Sequence, residues 1–261
     1  MIAGLRPLAP IIAALSLAGC GGVIPASDTP NSPNSRASAA HSHSEPYRSA
    51  PALAPETYTR QAQRPVIAAA PQNVAQRRSE ATCISELGAG GARFSALPDS
   101  YGAPGCHRLG TVQLTSIKGD QGAFGISNLG PVQCDVANAF SNWARFGVDR
   151  AAQQILGTRL ARIETMGSYA CRNVAGTNKR SAHSRAEAID VSGFVLTDGR
   201  RINLTEDWSG GTPAEREFLR VVKSSACKRF GTVLSPDYDS AHADHFHLEG
   251  SIRTSNRKLC R

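Results

Sequence analysis

Six cysteines, Cys83, Cys106, Cys134, Cys171, Cys227 and Cys260, all fall after residue 80, and they constrain the fold more than any other feature of the chain. The chain holds seven cysteines. Setting Cys20 aside leaves this even set, which implies disulfides formed in an oxidising compartment. Thiolate zinc ligation is the rival reading, and it is weak because no Cys-x-x-Cys pair occurs anywhere. Six cysteines can pair in about 15 ways. Pairing sequence neighbours gives Cys83–Cys106, Cys134–Cys171 and Cys227–Cys260 as the expectation.

The residues before this block have a different composition. From 21 to 80 Pro, Ser, Ala, Asn and Gln dominate, aromatics are limited to Tyr47 and Tyr58, and no periodic apolar face can be traced. Such a segment cannot bury enough surface to offset chain entropy, so it is expected to be a disordered tether. His41 and His43 lie in it, with His-x-His spacing but no scaffold to aim them.

Residues 1–20 start weakly basic at Arg6, run apolar from Leu8 to Leu17, and close on Leu17-Ala18-Gly19-Cys20. The apolar run is too short for a lasting bilayer span and reads as a secretion signal. Small residues just before a cysteine resemble a bacterial lipoprotein signal, which implies that Cys20 becomes the lipid-modified first residue. Acyl chains there would hold the protein to a membrane surface without a spanning helix.

The remainder, 81–261, is long enough for a single domain with one core. Its pattern is α+β. Thr111 to Ser116 alternates as a strand, and Asp135 to Phe146 carries Val136, Ala139, Phe140 and Trp143 at helical spacing. A second helix is expected over Arg150 to Leu156 after a break at Gly147. Leu160 to Thr165 and Ile189 to Leu196 read as strands, with Arg201 to Leu204 pairing the latter across an Asp198-Gly199 turn. Thr212, Pro213 and Glu215 form a capping box that opens a helix expected to end near Phe230, before Gly231.

Two polar stretches interrupt this pattern: Ser181-Ala182-His183 running on to Asp190, and His242-Ala243-Asp244-His245-Phe246-His247. Only seven histidines occur in the chain, and four of them lie here. Side chains two apart on a strand share a face, so His245 and His247 should project together while Phe246 turns into packing. Two imidazoles joined by a third His and an Asp suit a three-ligand zinc site that keeps a fourth position for water, with a titratable base alongside. Spacing alone does not divide the roles. Asp244 is either a ligand or a partner that holds a ring.

Ser-x-His, six further residues, then Asp, joined later by His-x-His, resembles the LAS superfamily of zinc metallopeptidases. That group contains D-alanyl-D-alanine carboxypeptidases and murein endopeptidases. Within 82–261, the cysteines and the run Ser181 to Asp190 resemble the bacterial extensin-like C-terminal domain. The resemblance implies a disulfide-stabilised antiparallel sheet with flanking helices. It implies zinc ligation by His183, Asp190 and His247, with His245 at the catalytic centre. His242 completes a His-x-x-His-x-His arrangement similar to that of penicillin-insensitive murein endopeptidases. No glutamate stands just before His245 as in the carboxypeptidase branch, a departure that favours the endopeptidase-like branch. The segment Gly167-Ser168-Tyr169-Ala170-Cys171-Arg172 is similar to the stretch whose arginine holds substrate, which makes Arg172 the candidate for stabilising an oxyanion.

The net charge of +8 favours anionic partners. No nucleic-acid motif accompanies it, so nucleic acid is excluded as a partner and cell-envelope polymers are favoured. The expected activity is zinc-dependent hydrolysis of peptidoglycan stem peptides, as a murein DD- or LD-endopeptidase or a carboxypeptidase. The expected setting is the periplasm-facing side of the cell envelope, lipid-anchored; by resemblance to lipoprotein sorting, Gly21 after Cys20 implies the outer membrane. Two alternatives come from other classes: a non-catalytic peptidoglycan-binding lipoprotein that keeps zinc for structure, and a structural lipoprotein whose histidines bind nothing.

Overall fold

The computed structural model describes residues 74–251 and 258–261. The signal segment, Cys20, His41 and His43 lie outside the described residues, as does all but the end of the expected tether. Helix α1 (Val74–Ala89) begins within the stretch read as tether and brings Cys83 and Leu87 into the core. Short strands follow: β1 (Ala92–Ala96), β2 (Ser100–Tyr101), β3 (His107–Arg108), β4 (Thr111–Lys118), β5 (Ala123–Ser127) and β6 (Pro131–Gln133). Helix α2 (Cys134–Trp143) continues through a π-helical segment (Ala144–Asp149) into α3 (Arg150–Leu156). Then come β7 (Leu160–Gly167), a 3₁₀ turn (Ala182–Arg185), β8 (Ala188–Leu196), β9 (Arg201–Asn203), α4 (Leu204–Asp207) and α5 (Pro213–Ala226). The chain ends with β10 (Phe230–Leu234), a second 3₁₀ turn (Ser240–His242), β11 (Phe246–Ser251) and β12 (Leu259–Cys260).

One sheet of ten strands organises the domain, in the order β1-β4-β5-β7-β8-β11-β10-β12, with β6 on β4 and β9 on β8. The α+β expectation holds. The sheet is larger than expected, and two of its pairings, β5–β7 and β10–β12, are parallel. The core gathers around Trp143, whose ring lies against Phe140, Phe194 and Phe230 at 5.5, 6.2 and 6.4 Å between centroids. Its indole N–H donates to the Val222 carbonyl at 2.9 Å, tying α2 to α5.

Three local expectations are corrected. Gly147 does not break the helix: the backbone widens into a π-turn there, and any Cβ at Gly147 would run into Ser225 of α5. The helix stop is Gly157, at φ 71°. The capping box at Thr212 is present, with the Thr212 hydroxyl and the Glu215 carboxylate reciprocally bonded, yet α5 ends at Ala226. Phe230 to Leu234 is a fully buried strand, so Gly231 lies in the sheet and does not terminate a helix. Two of the three expected disulfides also differ. Cys83 pairs with Cys134 and Cys106 with Cys171, while Cys227–Cys260 is as expected. Cys83 and Cys134 meet because α1 packs beside α2, a contact between elements that sequence proximity does not encode.

A bulge in β8 sets up the site. Glu164 pairs with Gly193 and Thr165 with Val191, which leaves Ser192 as an extra residue on β8. Such a bulge flips the side-chain alternation along the strand. Phe194 therefore faces the helix-packed core, against Trp143 and Phe218, while Asp190 on the other side of the bulge points to the opposite face. Gly193 permits the close approach of β9, since a Cβ there would lie 2.8 Å from the Ile202 carbonyl oxygen.

Candidate metal centre

His183 sits on the 3₁₀ turn that follows β7. Ser181 caps this turn, its hydroxyl accepting from the His183 amide at 3.4 Å, and Ala186 ends it in the left-handed region at φ 58°. The fully buried Ser184 hydroxyl is 2.9 Å from the Gly105 carbonyl and 2.7 Å from that of Ser181, which anchors the turn to the loop before Cys106. β8 starts directly afterwards, so the six residues between His183 and Asp190 are one turn plus the first rung of a strand. Asp190 then faces His247 across the β8–β11 pairing. Phe246 turns the other way and packs on Trp208, 5.7 Å between ring centroids.

His183, Asp190 and His247 are all buried, and each offers one ligand atom such that the three lie within 4.8 Å of one another. His183 Nε2 is 3.1 Å from Asp190 Oδ2 and 3.2 Å from His247 Nδ1, and His247 Nδ1 is 2.9 Å from Asp190 Oδ1. The outer nitrogens of both rings are engaged elsewhere. His183 Nδ1 is 2.8 Å from the Ser168 carbonyl oxygen, which only accepts, so this nitrogen carries the proton. His247 Nε2 is 3.4 Å from the Glu249 carboxylate, which favours the proton there as well. In neutral histidines both inner nitrogens are then lone pairs, aimed with a carboxylate at one space. An all-acceptor cluster of this kind needs a cation, either a proton or a metal ion, and outer-nitrogen bonds to carbonyl and carboxylate are what orient histidine ligands. The donor set of two imidazoles and one carboxylate fits a divalent ion with nitrogen and oxygen preference.

Titration follows the same geometry. Burial alone would raise the Asp190 carboxyl, but the hydrogen bonds with His183 and His247 outweigh it and hold the group well below the usual carboxylate range. Burial alone would lower His247; bonds to Asp190 and Glu249 instead push it up to about 9. Without a metal, a proton held on His247 supplies the missing cation.

His245, itself buried, and the half-buried His242 stand beside these three. His245 Nε2 is 3.6 Å from Asp190 Oδ1, and its Nδ1 is 2.7 Å from Asp244 Oδ1. His242 Nδ1 is 2.6 Å from Asp239 Oδ1, and its ring lies 5.2 Å from that of His245 and 5.8 Å from that of His247. That bond also holds the Asp239 carboxyl below its ordinary value. A cleft of about 360 Å³ opens onto this group, lined among others by Arg172, Tyr238, His242, His245, His247 and Glu249. Arg172 is exposed at the rim, one residue from the Cys106–Cys171 bridge.

All six residues expected at the site, His183, Asp190, His247, His245, His242 and Arg172, thus border one cluster and its cleft. Three others escaped the sequence reading. Asp239, three residues before His242, orients that ring. Glu249 follows His247 by two on the same strand, so period-two alternation extends to it. Ser168 contributes a backbone carbonyl, which has no sequence signal. Glu187, on the turn between His183 and Asp190, is half-buried and accepts from Arg185 Nε at 2.8 Å. His107 stands apart in β3 against Tyr101.

Fold and site together define a disulfide-bonded α+β domain with a buried His/Asp cluster, able in its donor set to hold a metal ion, at the floor of a cleft. A sequence model of the extensin-like protein C-terminus family matches residues 81–261. The chain belongs to that family. Neither the characterised proteins nor the solved structures compared with it include a match. Among the described residues, no helix is long and apolar enough to cross a membrane.

Proposed function

We propose that the domain is a zinc-dependent peptidase that hydrolyses peptide bonds in peptidoglycan, involving D-amino acids, and that Cys20 carries a lipid holding it to the outer membrane on the periplasmic side. The observation that carries this reading is the convergent acceptor set of His183, Asp190 and His247, with both outer ring nitrogens already committed, at the floor of a peptide-sized cleft. Zinc held by these three residues would supply Lewis acidity towards a carbonyl and a water acidified towards neutrality. The chain's other residues divide the remaining work. His245, its Nδ1 on Asp244, presents Nε2 beside Asp190, where it takes a proton and later returns it to a leaving amine. His242 is oriented the same way by Asp239 and provides a second donor facing the cleft. Arg172 offers a guanidinium at the rim to an oxygen that gains negative charge. The resemblance of the two motifs to LAS peptidases and the net charge of +8 both support an anionic wall polymer as substrate.

The test is mass analysis of fragments released from purified sacculi by the full chain. Zinc-loaded protein should release cleaved stem peptides with new amine termini, chelator should stop the release, and added zinc should restore it. The masses assign DD- or LD-endopeptidase or carboxypeptidase action. Saturable sacculus binding by zinc-loaded protein with no new amines would instead make it a non-catalytic wall-binding module.

A further inference from the structure

Trp208 follows α4 directly and is only 5% exposed. Its ring packs on Phe246, the residue between His245 and His247 at the start of β11. The Arg220 guanidinium of α5 covers the same ring, 3.3 Å from its centroid. The indole N–H donates at 2.8 Å to Oδ1 of Asp237, on the loop that follows β10. Only Tyr238 separates Asp237 from Asp239, which accepts from the Ala241 amide at 3.0 Å and bonds His242 Nδ1 at 2.6 Å. One buried side chain therefore touches both segments that carry the histidines of the cleft: β11 through its ring, and the His242 loop through its nitrogen.

We propose that Trp208 and Asp237 are positioning residues that tie the His242 loop to β11 and so fix where His242 stands beside His245. Neither side chain lines the cleft, so both act through His242. Two bonds hold Asp237, and their weights differ. Lys223 Nζ donates to Oδ2 at 3.2 Å, but the Asp237 side chain is 50% exposed, and solvent screens such an ion pair. The indole N–H can only donate, and leaving it unpaired in a buried ring carries the full desolvation cost. That bond, strengthened by the charge of the carboxylate, is the tie. Without it Asp239 and His242 keep their own bond, three residues apart, but move together with their loop. Giving His242 work in proton transfer rests on the peptidase reading; its placement by Trp208 does not.

Ring-proton NMR of the full-length chain with labelled histidines tests this through two internal contacts. His242 and His245 lie 5.2 Å apart between ring centroids; His183 and His247, neither of them on the loop, lie 5.0 Å apart and serve as the reference. Asp237→Ala should lose the cross-relaxation between His242 and His245 and keep that between His183 and His247. Trp208→Phe, which keeps an aromatic ring but no N–H, should do the same. Asp237→Asn retains an oxygen for the indole and should keep both contacts. Retention of the His242–His245 contact in Asp237→Ala would overturn the proposal. So would its loss in Asp237→Asn, which would make the Lys223 charge the anchor, or a parallel loss of the His183–His247 contact, which would mark general support of the domain. Asp237 is exposed, so its two variants decide the matter even if Trp208→Phe does not fold. Hydrolysis plays no part in this readout. A protein that shows this pattern but releases nothing from sacculi would defeat the peptidase reading and leave the positioning role standing.

Discussion

His247 and Asp190 stand directly opposite each other on neighbouring antiparallel strands, with Nδ1 of one 2.9 Å from Oδ1 of the other. The pairing depends on strand register, because a slip of one residue in either strand would turn its group to the other face, away from its partner. Only His183 arrives from outside the sheet, on a turn pinned by Ser181 and Ser184.

Metal binding should follow this geometry. One equivalent of zinc is expected per chain by elemental analysis, and His183→Ala, Asp190→Ala or His247→Ala should each abolish it. Glu249→Gln keeps the ligands but weakens the hold on His247 Nε2, and should lower zinc affinity by about 10- to 100-fold in a calorimetric titration. Full affinity in the Asp190 variant would mean that the ion sits elsewhere.

The same cluster sets opposite pH dependences with and without metal. In metal-free protein His247 is raised from 6.5 to about 9, so its stabilising interaction is fully present below about 6.5 and is lost as pH rises through about 9. Asp190 is lowered, so its contribution is present above the ordinary carboxylate range and is lost only in stronger acid. Chemical denaturation of the metal-free protein should therefore show stability falling between pH 6.5 and 9. Zinc affinity over that window should rise about tenfold per pH unit, because the metal displaces one proton. A flat zinc affinity there would show that no such proton is held.

Much of the site was legible because its chemistry is written in short local runs. His183 with Asp190, and His245 with His247, needed only turn and strand periodicity to be brought into reach. The orienting partners divide by range. Asp239 and Glu249 lie within three residues of the histidines they hold, inside the reach of alternation and capping rules. The Ser168 carbonyl arrives from the far end of β7, and backbone acceptors leave no mark in a sequence. The disulfides show the same limit. Cys227–Cys260 staples the C-terminal cap of α5 to β12, whereas Cys83–Cys134 and Cys106–Cys171 join α1 to α2 and the β2–β3 hairpin to the loop after β7. Tertiary contacts of that kind follow from the assembled core. The fully buried run of Phe230 to Leu234 was lost for another reason: a short apolar segment after a helix carries no period of its own.

The disulfides should differ in value with the chain they enclose. Cys106–Cys171 spans 65 residues and Cys227–Cys260 spans 33. In a loop-entropy account each contributes about 2–4 kcal/mol, the longer loop about 0.6 kcal/mol more. Replacing Cys106 and Cys171 by alanine should lower unfolding free energy by that amount in denaturant titrations. It should also reduce cleavage of sacculi while zinc content is unchanged, because Cys171 adjoins Arg172. Unaltered cleavage would remove Arg172 placement from the role of this bridge.

His245 and His242 each pair with a neighbouring carboxylate, but of the two His245 is the one beside Asp190, its Nε2 3.6 Å from Oδ1. In the proposed mechanism that asymmetry assigns the principal proton transfer to His245. His245→Ala should reduce turnover of defined stem-peptide substrates by about 10²- to 10⁴-fold with zinc stoichiometry intact. Asp244→Asn should cause a smaller loss, because the ring stays but is less firmly oriented. His242→Ala should fall between these two. Zinc content measured on the same samples decides the outcome: if His245→Ala loses its metal together with its activity, His245 is a ligand and the proton must travel by another residue, with His242 the first to examine.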